Sequence, residues 1–194
     1  LNFQPDFTWI KRRSGGGMSH FVVDALRSYT DSSGNGNVGP LATNDTYAES
    51  NALTDGGFES FNSDGFTLGK GSSTANAAAP YQRNNASSET YVGWNWKGSS
   101  STVANSDGSI SSSVRVNASA GFSVAGWTGT NGNGTVGHGL GVAPKVVIIR
   151  RRQSASDWAV YHGEIGNTKR LVLNSTSAES SASASWWNNT SPTS

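Results

Sequence analysis

Metal binding is the first kind of chemistry that the titratable residues of this sequence could support. The three histidines, His20, His138 and His162, are far apart along the chain, and cysteine is absent. Because a zinc site needs closely spaced His or Cys ligands, the sequence predicts no metal site. His138 lies in "TVGHGLG", where it is predicted to satisfy a backbone group at a glycine-flanked turn.

Hydrolysis of a sugar polymer is the second kind of chemistry, and it requires two carboxylates about 5–9.5 Å apart across a cleft. Asp157 and Glu164 are one candidate pair, but most acidic residues lie at predicted turns or strand edges. Glu49 and Glu179 each follow an Asn-x-Thr segment, which favours a structural bond to a strand end. We therefore predict no catalytic residue, no cofactor and no enzymatic activity. A polysaccharide depolymerase is the alternative from the enzyme class.

Aromatic side chains could make a third kind of site, in contact with a sugar ring or a partner protein. Indole rings beside amide side chains are typical of sugar sites, and tryptophan is enriched in protein interfaces. The candidate contact residues are Trp158 and Tyr161 in "DWAVYH" and Trp186, Trp187, Asn188 and Asn189 in a predicted loop. The tryptophans within predicted strands are expected to be core residues: Trp9, Trp94, Trp96 and Trp127.

The charge balance argues against a nucleic-acid partner. Charged residues make up 14% of the 194 residues, and the net charge is +1. The basic clusters at 11–13 and 150–152 end two predicted strands, and we expect them to form salt bridges with neighbouring strands or a partner subunit. No apolar run approaches the roughly 18 residues that a membrane span needs, so none is predicted.

The elements that must position these residues are predicted to be strands. Gly, Ser, Asn and Thr disfavour helix, whereas seven Trp, seven Phe and five Tyr indicate a folded β protein. In "TYVGWNWK" alternation places Val92, Trp94 and Trp96 on one face. The predicted strand segments are 6–13, 20–27, 65–69, 90–97, 112–119, 121–129, 144–152, 157–163 and 169–174.

The chain also contains an internal repeat. Aligning Pro5 with Pro144 places "LNFQPDFTWIKRR" on "LGVAPKVVIIRRR", and "SHFVVDAL" then falls on "DWAVYHGE". The segments "LATNDTYAES" and "LVLNSTSAES" follow in the same order, so Asn44 corresponds to Asn174. A repeat of this size predicts tandem modules, with these asparagines holding a turn between strands.

We therefore predict an all-β protein of antiparallel strands in tandem modules, each a sandwich or a barrel. The first module spans 1–98 and is expected to lack its opening strands. Residues 99–111 form a Gly/Ser-rich linker, and the second module spans 112–194 and is expected to lack its closing strands. Loops are predicted at 32–42 and 69–89. Function is to be sought first in the Gly-rich insertion at 32–40 and in the Trp186-Trp187 loop.

Several motifs resemble a repeated module of tailed-bacteriophage tail-fibre and virion structural proteins. They are "YVGWNWKG", "TVGHGLGVAPKVVIIRRR", "DWAVYHGEIG", "LVLNSTSAES" and "WWNNTSPTS". The resemblance implies antiparallel β-sandwich modules (jelly-roll or lectin-like) in tandem and a virion location at the particle surface. It supplies no catalytic motif to carry over to this chain. A tail fibre or surface appendage that attaches to host-surface glycan is the expected function, and a capsid-binding head decoration or fibre protein is the alternative within this class.

The expected binding partners follow from a role in a virion appendage. Open sheet edges on an elongated array are normally covered, so a homo-oligomer is expected, with a trimer as its form. Other virion proteins and host glycan are the further expected partners.

Overall fold

The computed structural model describes residues 1–15, 19–30, 36–49, 57–69 and 85–194. The predicted insertion at 32–40 and loop at 69–89 lie partly outside the described residues. The strands are β1 (Phe7–Arg12), β2 (Phe21–Asp24), β3 (Ser28–Thr30), β4 (Gly36–Val38), β5 (Leu41–Ala42), β6 (Phe58–Asn62), β7 (Gly65–Leu68), β8 (Tyr91–Trp96), β9 (Val103–Asn105), β10 (Ser112–Asn117), β11 (Phe122–Trp127), β12 (Val146–Ile149), β13 (Ala159–His162), β14 (Lys169–Val172) and β15 (Ser180–Ser181).

The prediction of an all-β fold with antiparallel strands is confirmed. Each of the nine predicted segments contains a strand. The larger sheets have the strand orders β5-β2-β1-β8, β11-β10-β9 and β12-β13-β14-β15, and β3-β4 and β6-β7 are two-stranded. The described helices are a 3₁₀ turn (Ala118–Ala120) and a single helical turn, α1 (Ala184–Trp187), where a loop was predicted. Among the described residues, no helix has the length and apolar character that a bilayer crossing requires.

Two strand trios, β1-β2-β5 and β12-β13-β14, share the same pairing registers. The corresponding pairs are Phe7–Asp24 and Val146–His162 for the first two strands, and Val22–Leu41 and Val160–Leu171 for the second and third. These are the residues that the sequence alignment places in equivalent positions. The repeat is therefore visible as a repeated pattern of backbone pairing.

The repeated asparagines make equivalent hydrogen bonds. The Asn44 side-chain oxygen accepts from the His20 backbone N–H at 2.7 Å, and the Asn174 oxygen accepts from the Trp158 N–H at 2.9 Å. Each bond secures the residue that enters the middle strand of its trio. The predicted role of these asparagines in holding the turn is confirmed.

The first sheet packs on both of its faces. On one face, Ile10, Phe21 and Val23 bury against Phe58 of the β6-β7 hairpin. On the other face, Val22 and Leu41 bury against Trp158, which precedes β13. Apolar burial on both faces is the main stabilising contribution in such a fold.

The strands do not separate cleanly at the predicted linker. β9 lies within 99–111 and pairs with β10, and Arg115 of β10 forms a 2.5 Å ion pair with the buried Asp6. Trp158 from the predicted second module lies in the core of the first. The division into tandem modules stays a prediction.

Candidate functional site

The most distinctive surface is an aromatic groove on the first sheet, lined by Trp9, Lys11, His20, Trp94 and Trp96, with a volume of about 380 Å³. It forms because β1 pairs with β8 in a register that places Trp9 opposite Trp94. Residues two apart in a strand share a face, so Trp96 and Lys11 project from the same side of the sheet.

The indoles of β8 are exposed in this groove. Trp94 is 45% exposed and Trp96 is 38% exposed, and on β11 Trp127 is 40% exposed. The prediction that these strand tryptophans are core residues is therefore wrong for these three, while Trp9 is half-buried. The physical reason is the position of the strands: β8 and β11 are both edge strands, whose side chains have a neighbouring strand of the sheet on one side only.

Neighbouring rings fix the groove tryptophans. The Trp9 and Trp94 rings meet edge to face at 6.2 Å between centroids. Trp96 stacks on Phe122 at 6.1 Å and meets Phe7 edge to face at 5.4 Å. Rings held in this way lose little conformational entropy when a ligand packs on them.

Lys11 and His20 form the polar side of the groove. The Lys11 Nζ lies 2.5 Å from the His20 Nε2, so the neutral imidazole accepts a hydrogen bond from the ammonium group. Burial, and then the positive charge of Lys11, hold the pKa of His20 below its ordinary value. Among the described residues, none that lines the groove is acidic.

Two of the residues predicted to contact a ligand lie in the interior instead. Trp158 and Tyr161 are each 5% exposed. Trp158 belongs to the core, and its indole N–H donates to the Ala42 carbonyl at 2.7 Å. The prediction that Trp158 and Tyr161 are surface contacts is therefore wrong. Trp158 is buried because the two strand trios pack around it, and the Tyr161 ring lies against Trp187.

The other four predicted contact residues lie together near the end of the described chain. The Trp187 indole N–H donates to the Lys169 carbonyl at 3.0 Å, and its ring contacts Tyr161 edge to face. Trp186 is half-buried under the Arg170 guanidinium, 3.8 Å from the ring centroid. Asn188 and Asn189 are exposed and have positive φ angles of 51°. These residues form a second aromatic surface, and their role in binding stays a prediction.

The groove tryptophans could have been found from the sequence. Strict alternation in "TYVGWNWK" places Trp94 and Trp96 on one face, and two indoles at i and i+2 on an edge strand are a recognisable platform. The sequence pattern does not show whether another segment packs over that face of the strand.

Five acidic residues of the described chain form ion pairs, namely Asp6, Asp24, Glu49, Glu89 and Glu179. Glu49 bonds both the buried Arg27 at 2.8 Å and Arg152 at 2.6 Å, which confirms its predicted structural role. Arg12 pairs with Glu89, so each basic cluster forms a salt bridge as predicted. Among the described residues, no group of three His, Cys, Asp or Glu side chains could hold a metal ion.

His138 is bonded as predicted. Its Nδ1 accepts from the Leu140 backbone N–H at 3.1 Å, and its Nε2 lies 2.8 Å from the Thr193 carbonyl oxygen. The imidazole therefore satisfies backbone groups at the glycine-flanked turn.

Comparison with known proteins identifies one family. Residues 1–194 match the family described as "Domain of unknown function (DUF7483)". No curated protein and no solved structure matches the chain. The chain therefore belongs to the DUF7483 family of domains of unknown function.

Proposed function

We propose that this chain is a non-enzymatic glycan-binding β protein of a bacteriophage virion. It acts in a tail fibre or another surface appendage that attaches to glycan on the host. The aromatic groove carries the glycan part of this proposal, and the sequence resemblance to tail-fibre modules supports the virion location.

The groove suits a carbohydrate because three indoles line it, and two of them, Trp94 and Trp96, are exposed. The C–H faces of a sugar ring pack on such indoles, and nearby polar groups bond its hydroxyls. An open groove along an edge strand also leaves room for a chain that continues beyond the contact. A surface polysaccharide therefore fits better than a small enclosed metabolite.

The chemistry of the groove favours binding without cleavage. Glycoside hydrolysis uses two carboxylates facing the substrate, and none of the five lining residues is acidic. The candidate carboxylate Asp157 instead accepts a hydrogen bond from Asn174 at 3.0 Å. This supports a lectin-like role over a depolymerase.

Binding of purified protein to host-surface oligosaccharides, followed by calorimetry and tryptophan fluorescence, tests the proposal. Trp94→Ala and Trp96→Ala are each expected to weaken binding at least about tenfold, as loss of a buried aromatic anchor does. Trp127→Ala is the matched control, because Trp127 is similarly exposed but lies outside the groove. Equal loss in all three variants, or no binding by the unmodified protein, would contradict the proposal.

Two further measurements separate the alternatives. Release of reducing ends from host polysaccharide would identify a depolymerase and overturn the non-enzymatic role. Labelled protein that coats capsids but ignores host cells would identify a head decoration protein.

We further propose that the chain functions as a homo-oligomer, with a trimer as its expected form. β12 is the outer strand of its sheet, and its Val146 and Ile148 side chains are 48% and 46% exposed. An apolar edge strand of this kind readily pairs with another chain. Its counterpart in the first trio, β1, has strands on both sides, namely β2 and β8.

A further inference from the structure

We propose that the aromatic groove selects acidic saccharides, with the sugar ring on the indoles of Trp94 and Trp96 and the ligand carboxylate on the ammonium group of Lys11. This assignment rests on the proposed glycan-binding function and names the class of glycan. Its basis is a cation in the groove without an anionic partner.

Lys11 differs from the arginines that are fixed around the same sheet. Each of these arginines pairs with at least one carboxylate. Arg12 pairs with Glu89, Arg27 pairs with Asp24 and Glu49, and Arg115 pairs with Asp6. Across the described ranges, Lys11 makes no such pair, although its side chain is half-buried beside three indoles. A partly desolvated ammonium group without a counter-ion attracts an anionic ligand group strongly.

The contact with His20 orients this ammonium group. Because the imidazole accepts one hydrogen bond through Nε2, the other N–H donors of Lys11 remain for a ligand. The Asn44 oxygen accepts a hydrogen bond from the His20 backbone N–H and so fixes the backbone from which the imidazole projects into the groove. The tautomer that accepts at Nε2 carries its proton on Nδ1, a second donor near the same place.

The groove therefore combines two kinds of recognition. The indoles contribute similarly to neutral and acidic sugars, since both present C–H faces. Lys11 distinguishes them, because only an acidic sugar supplies a carboxylate for a charge-assisted hydrogen bond, and none of the five described lining residues is an acid that would repel that carboxylate. Selectivity for charge is thus separate from affinity for the ring.

A panel of oligouronates and their methyl esters tests this separation, because esterification removes the charge and keeps the rings. The unmodified protein is expected to prefer the free acids about tenfold or more at low salt, with the preference falling as salt rises. Lys11→Met is expected to lose the preference while still binding the esters. Lys11→Arg is expected to restore preference for the acids.

Lys145→Met is the matched control, because it removes the same charge from an exposed position outside the groove, directly before β12. Thermal unfolding of each variant checks that the fold is intact. Equal affinity for acids and esters, or a preference that survives Lys11→Met, overturns the assignment and leaves glycan binding standing. Binding of neither ligand form by the unmodified protein also overturns the assignment, and the assay with host-surface oligosaccharides then decides glycan binding itself.

Discussion

His20 couples the groove to pH through its contact with Lys11. Burial and the adjacent ammonium charge lower the pKa of His20 in the folded protein below the 6.5 of the free group. The unfolded chain therefore binds a proton at a higher pH than the folded chain does. Stability from the neutral imidazole is complete above about pH 6.5 and is lost as the pH falls from there toward the folded-state pKa.

We therefore expect His20→Gln to reduce the loss of stability between pH 7 and pH 5. Glutamine can still accept a hydrogen bond from Lys11, but it does not titrate. Urea unfolding at several pH values measures the effect, and the variant curve should be flatter than that of the unmodified protein. Parallel curves would show that the environment of His20 does not depress its pKa.

The indoles show why residue type alone does not define a site. Trp94 and Trp158 are both strand-associated tryptophans, yet one is 45% exposed and the other 5% exposed. Trp158 donates its N–H to a backbone carbonyl inside the core, whereas Trp94 lies on an edge strand. The difference arises from what packs over each ring.

The repeated strand trios owe part of their geometry to one asparagine each. Asn44→Ala and Asn174→Ala each remove an acceptor from a backbone N–H next to the middle strand. We expect each change to lower the free energy of unfolding by about 1 kcal/mol. Asn2→Ala, at an exposed position, serves as the control and should change stability by less than about 0.5 kcal/mol.

Substitution by aspartate separates the two asparagines. Asp at 44 can still accept from the His20 N–H, so Asn44→Asp should be milder than Asn44→Ala. Asn174 also donates to the Asp157 carboxylate, so Asn174→Asp would place two carboxylates together and should be the more damaging change. Denaturant unfolding measures all four variants, and equal effects of the two aspartates would contradict the assigned bonds.

The positions of the longer strands could be predicted from the sequence, but the burial of their side chains could not. The alternation in 90–97 correctly groups the two β8 tryptophans, because side-chain period two is a local property of extended backbone. β3, β4, β5 and β15 were not predicted, and β4 and β5 show that the predicted loop at 32–42 is wrong where the structure describes it. β6 and β9 were also not predicted, since Gly/Ser/Asn-rich flanks weaken the local signal. Each is a strand because a neighbour supplies backbone bonds, from β7 and β10 respectively.

The open edge of β12 bears on assembly of the whole molecule. The Gly163 N–H donates to the Lys145 carbonyl at 2.8 Å, so alternation turns the peptide groups of Val146 and Ile148 toward the opposite, free edge. We expect Ile148→Lys to weaken self-association at least about tenfold, because a lysine on an edge strand opposes pairing.

Sedimentation over a range of protein concentrations measures this effect. Val142→Lys is the control, since Val142 is exposed and apolar but lies outside the strand. A protein that is monomeric at every concentration, or one in which both variants behave alike, would contradict assembly through β12.

The all-β class, the order of the repeat, the bonding role of its asparagines and the face shared by the β8 tryptophans could all be predicted from the sequence. These follow from local preferences and from period-two alternation, which a linear pattern records. The burial of Trp158 and Tyr161 and the exposure of Trp94 and Trp96 became known from the packing of the folded chain. Covering of a sheet face depends on contacts between segments distant in sequence, such as Trp158 with β2 and β5, and an alternating pattern is the same whether its face is covered or open.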